Sequence, residues 1–96
     1  MFERERIKLL GHAKTIIQEY FKETRVTSVY ITGSIIKPYT FGKHSDIDIA
    51  TEGLPSEIYF KSVGQLTEIL DRQVEIIELE QCRFADKIKK TGIKII

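Results

Sequence analysis

A chain of 96 residues with 42% hydrophobic and 30% charged side chains reads as one folded globular domain spanning residues 1–96. Its net charge of +1 shows no basic excess, which argues against strong non-specific nucleic-acid binding. Cys82 is the only cysteine, so no internal disulfide can form; MFERERIKLL does not read as a signal peptide, and no apolar run reaches the roughly 20 residues of a membrane span. A cytoplasmic, non-membrane protein is expected.

The first helix is expected from Glu3 to Lys22, where Leu9, Leu10, Ala13, Ile16, Ile17, Tyr20 and Phe21 recur at spacings of three and four. VTSVYIT, Val26 to Thr32, is rich in β-branched and aromatic residues and reads as a strand ended by Gly33. Pro38 and Gly42 mark a loop, entered through one helical turn. DIDIAT, Asp46 to Thr51, alternates and reads as a second strand, with Ile47 and Ile49 inward and both aspartates outward. Ser56 is placed to cap a helix to Leu70, with Tyr59, Val63, Leu66, Ile69 and Leu70 inward. QVEIIEL, Gln73 to Leu79, is the third strand. A helix from Gln81 to Thr91 follows, ended by Gly92, and IKII closes the chain as a short strand. This order predicts an α/β (α+β) fold. Its mixed sheet has about four strands, with helices mainly on one face and the other free to carry charge.

Asp46 and Asp48 lie two residues apart, so on a strand they share one face about 7 Å apart. Their carboxylates can converge on a hard cation, which takes oxygen ligands. Glu75, on the next strand and flanked by Val74 and Ile76, can reach the same point. Alternating acids also serve simply to solvate an open sheet face, and both readings stand on these residues alone. Gly33-Ser34 lets the backbone approach a phosphate closely and offers N–H and hydroxyl donors; a plain strand-ending turn looks the same. Tyr39 and Phe41 can stack on a base or cover a core edge. Lys43 and His44 read as loop solvation, and His12 as a surface residue. No His/Cys cluster suggests zinc, and Ser34 has no recognisable His and Asp partners.

Taken together, G-S, then S-D-I-D, then V-E-I-I-E-L resembles the minimal nucleotidyltransferases of the DNA polymerase beta-like superfamily, over nearly the whole chain. The resemblance implies the polymerase beta-like nucleotidyltransferase fold. It implies Asp46, Asp48 and Glu75 as catalytic and metal-binding acids for two magnesium ions, with manganese able to substitute. Gly33, Ser34, Lys37 and Ser45 would then bind the nucleotide, with ATP the expected triphosphate. The implied reaction is transfer of a nucleoside monophosphate, AMP foremost, to a hydroxyl on a protein partner. That partner is a HEPN ribonuclease toxin, for which such proteins act as antitoxins. The alternative is a non-catalytic antitoxin that neutralises the HEPN partner by occlusion. Where the family commonly carries Gly-Ser-Arg-Ala-Arg-Gly, this chain carries Gly-Ser-Ile-Ile-Lys-Pro, a departure that bears on nucleotide affinity and rate more than on fold. Lys37 offers a point charge in place of a bidentate fork.

Overall fold

The sheet forms where the alternation of the sequence is strongest, and the computed structural model describes it within residues 3–96. Helix α1 (Glu3–Phe21) leads into β1 (Ser28–Thr32), a 3-10 turn (Ser34–Ile36), β2 (Ile47–Glu52), a second 3-10 turn (Ser56–Ile58) and α2 (Tyr59–Leu70). Then come β3 (Val74–Glu78), a third 3-10 turn (Leu79–Gln81), α3 (Ala85–Thr91) and β4 (Ile93–Lys94). The strand order is β3-β2-β1-β4. β1 runs antiparallel to β2 and β4, while β2 and β3 are parallel, joined through α2. The expected mixed four-stranded sheet is therefore present.

One face of the sheet carries Val29, Ile31, Ile47, Ile49, Val74 and Ile76, which pack with Ala13, Ile17 and Phe21 of α1 and with Leu66 and Leu70 of α2. The other face carries a smaller cluster in which Tyr30, Ala50 and Leu79 meet Ala85 and Ile88, so α3 covers part of it. Helices thus lie mainly, but not wholly, on one side. The outer edge of β3 is closed by side chains: the Thr67 hydroxyl accepts from the Val74 amide at 3.1 Å, and the Tyr59 hydroxyl donates to the Ile76 carbonyl at 3.0 Å. Among the described residues no helix is long and apolar enough to cross a membrane.

Several boundaries differ from the sequence expectation. β1 begins at Ser28, not Val26, and β2 begins at Ile47, which leaves Asp46 just outside the ladder. Ser56 caps nothing, because a 3-10 turn precedes α2. Ile69 is half exposed, since α2 buries the i, i+4 ridge of Ser62, Leu66 and Leu70. The final helix starts at Ala85 because Cys82 is extended (φ −102°, ψ 127°) and breaks the turn after Leu79–Gln81. Arg6, although charged, is buried on the apolar stripe of α1.

Candidate active site

The parallel pairing of β2 with β3 sets Asp48 opposite Glu75, and the antiparallel pairing with β1 sets Asp48 opposite Thr32. Ile47 and Ile49 are fully buried beneath the sheet, so Asp48 points out of the opposite face. The chain leaves β1 at Gly33 with φ 82° and ψ −158°, a conformation essentially restricted to glycine. The Asp48 carboxylate occupies the place a Cβ on Gly33 would need. Asp48 is half-buried, and its carboxyl is pushed up to about 6. Burial is the main cause, followed by the Glu75 charge, a shared hydrogen bond with Glu75 and the Asp46 charge. The two carboxyls, opposite each other across the β2–β3 ladder, offer only oxygen donors, the ligand type a hard divalent cation takes. Among the described residues, no three His, Cys, Asp or Glu side chains are already gathered to hold a metal ion. Asp48 and Glu75 form the pair, and Asp46 stands beside it in the loop.

The loop between Gly33 and Asp46 is pinned at both ends by arginines the sequence reading passed over. Arg6 donates through Nη1 to the Ile35 carbonyl at 2.7 Å, and through Nε and Nη2 to the Glu3 carboxylate at 2.8 and 2.9 Å. Glu3 also accepts from the Tyr39 amide at 2.7 Å, which holds Tyr39 at a φ of 63°. These partners keep the Glu3 carboxyl far below the usual range, at about 2. At the other end Arg72 donates to the carbonyls of Gly42, Lys43 and Ser45 and lies 4.6 Å from the Phe41 ring centroid. Phe41 is buried and Tyr39 is 88% exposed, so of the two loop aromatics Phe41 covers the core edge.

The remaining expected residues are placed as follows. Ser34 opens the 3-10 turn directly after Gly33, and Lys37 follows that turn at the surface. The Ser45 hydroxyl accepts from the Gly42 amide at 2.9 Å and so serves the loop. Arg6 had a signal in the sequence: it is in phase with Ala13, Ile17 and Phe21 on α1. Arg72 had none.

The raised carboxyl gives a pH-dependent expectation. Folding of the metal-free protein favours protonated Asp48, so the associated stability is full below its ordinary value near 3.8 and is lost as pH rises through about 6. Asp48→Asn, measured with chelator present, should melt above wild type at pH 8, by roughly 5 °C once solvent screening is allowed for. The difference should vanish near pH 4. A variant that melts below wild type at pH 8 would mean that the carboxylate is a structural acceptor.

A family model described as "Polymerase beta, Nucleotidyltransferase" matches residues 14–96. Among solved structures, the chain is similar to one in the MntA–HepT toxin–antitoxin complex, at 17% identity and a TM-score of 0.66, over 90% of this chain and 71% of that one. It is similar to a chain of a toxin–antitoxin structure with AMP-PNP, at 22% identity and a TM-score of 0.67, over 86% and 70%. A third is in a tri-AMPylated Shewanella oneidensis HEPN toxin in complex with an MNT antitoxin, at 18% identity and a TM-score of 0.63, over 90% and 71%. At these identities the likeness is one of fold. Among curated proteins none matches the chain.

Proposed function

The chain belongs to the polymerase beta nucleotidyltransferase family, and on that premise we propose that it transfers a nucleoside monophosphate from a nucleoside triphosphate to a hydroxyl on a protein partner. AMP from ATP is the expected group, and a HEPN toxin in the cytoplasm the expected partner, with this chain its antitoxin. The observation that carries the reading is the convergence of Gly33, Asp48 and Glu75 on one sheet face. The similar folds found with a HEPN toxin, with AMP-PNP and with an AMPylated toxin support it.

Asp46, Asp48 and Glu75 would hold two magnesium ions, or manganese in their place, which when bound activate an acceptor hydroxyl and offset charge on the departing pyrophosphate. Gly33 and Ser34 would donate N–H and hydroxyl hydrogen bonds to phosphate oxygens, and Lys37 would add a point charge. Ser45 orders the loop that delivers Asp46. Glu75, exposed where Asp48 is half-buried, is the acid best placed to take the acceptor's proton. The acceptor oxygen forms a bond to the α-phosphorus while the bond to pyrophosphate breaks. A protein surface can reach this face because the sheet there is only partly covered.

A second reading is favoured by one observation: the three acids are not gathered as a metal cluster among the described residues. On that reading the chain neutralises its partner by occlusion alone. Mixing it with a candidate HEPN partner, ATP and magnesium, then weighing the partner by intact mass spectrometry, separates the two. An AMP-sized gain is expected, and it should vanish when Asp46→Asn and Asp48→Asn are combined. Tight binding without a mass gain from ATP, GTP, CTP or UTP would favour occlusion.

A further inference from the structure

Outside the acid pair, the described residues form a cleft of about 340 Å³ between the Gly33 turn and α3. Gly33, Lys37 and Pro38 line one side, and Lys87, Ile88 and Thr91 line the other. Gly33 belongs to both places, since the Asp48 carboxylate packs directly against it. The cleft therefore continues the candidate active site away from the acids.

The lysines of α3 divide by role. Lys89 pairs with Glu52 at 2.7 Å and ties the helix to the end of β2. Lys90 lies in the last turn, where a cation suits the helix dipole. Lys87 sits a turn earlier, and Ile88 beside it packs against the sheet and anchors that flank of the helix. The Thr91 hydroxyl donates to the Lys87 carbonyl at 2.8 Å. Among the described residues neither Lys37 nor Lys87 is in a salt bridge, so two uncompensated cations flank one cleft with apolar walls. Both lysines are exposed, so their attraction for an anion held between them is additive and screened by salt.

Resting on the nucleotidyltransferase reading, we propose that Lys87 is a second phosphate-binding cation, which with Lys37 grips the β- and γ-phosphates of the nucleoside triphosphate. The α-phosphate must lie at the acids for reaction, so the rest of the phosphate chain extends past Gly33 into the cleft. Lys87 would thus select triphosphates over monophosphates and hold the pyrophosphate as it leaves.

The test is calorimetric titration of the full chain in magnesium with ATP and, separately, AMP. Lys87→Ala should weaken ATP about tenfold and leave AMP within about twofold, while Lys87→Arg keeps most of the affinity. Lys90→Ala, which removes an equal charge outside the cleft, should bind ATP like wild type. Raising the salt should shrink the Lys87→Ala deficit. If wild type binds ATP and Lys87→Ala binds it equally, or loses ATP and AMP alike, or loses no more than Lys90→Ala, the assignment of Lys87 is overturned while the function stands. If wild type binds no ATP, both are overturned.

Discussion

Gly33→Ala is expected to eliminate nucleotide transfer and to lower the melting temperature by about 10 °C. The new methyl would need the space of the Asp48 carboxylate, and the backbone at φ 82°, ψ −158° strains any residue with a Cβ. Either Asp48 rotates away from Glu75 or the end of β1 shifts; both dismantle the acid pair. Combining Gly33→Ala with Asp48→Ala removes the collision and leaves the strain. The double variant should regain part of the lost stability and none of the activity. Strictly additive losses in thermal melts would show that the two residues do not compete for space.

Arg6→Ala should have an effect of similar size on stability through a different route. It leaves the buried Ile35 carbonyl without its donor and frees the Glu3 carboxylate that holds the Tyr39 amide. Tyr39 sits at a φ of 63°, which a non-glycine residue keeps only while its surroundings impose it. A fall of about 10 °C in melting temperature is expected, together with many-fold faster chymotryptic cleavage after Tyr39. Arg6→Lys keeps the charge but not the fork, and should fall between. Because the Glu3 carboxyl is lowered to about 2, the contribution of this clamp is present above the ordinary glutamate range and lost only as pH falls towards 2. Unchanged melting and unchanged cleavage in Arg6→Ala would place control of the loop with Arg72 alone.

The strands and the acid pair were legible because period-two alternation is a direct imprint of a half-covered sheet. In Asp46-Ile47-Asp48-Ile49 and Val74-Glu75-Ile76 the buried residues name the face of their neighbours. The partners of the clamp were not legible: the phase of Arg6 placed it on the apolar stripe, but nothing local named what its guanidinium would meet there. Arg6 is buried only because a carbonyl 29 residues away and a carboxylate one turn back meet its guanidinium. Asp46 fell outside β2 because Arg72 holds the Ser45 carbonyl, a contact between distant segments with no local signal. The placement of α3 on the acid-bearing face likewise depends on pairing between the short β4 and β1.

The side chains that close the outer edge of β3 restrict how this protein can assemble. A strand from a neighbouring molecule needs free amides and carbonyls to zip onto, and Thr67 already engages the Val74 amide and Tyr59 the Ile76 carbonyl. At the opposite edge β4 offers only two residues. Addition of a further strand is therefore hindered at the β3 border, where it would have to displace the Thr67 and Tyr59 hydroxyls, which favours side-chain surfaces over that backbone edge as the means of meeting another protein.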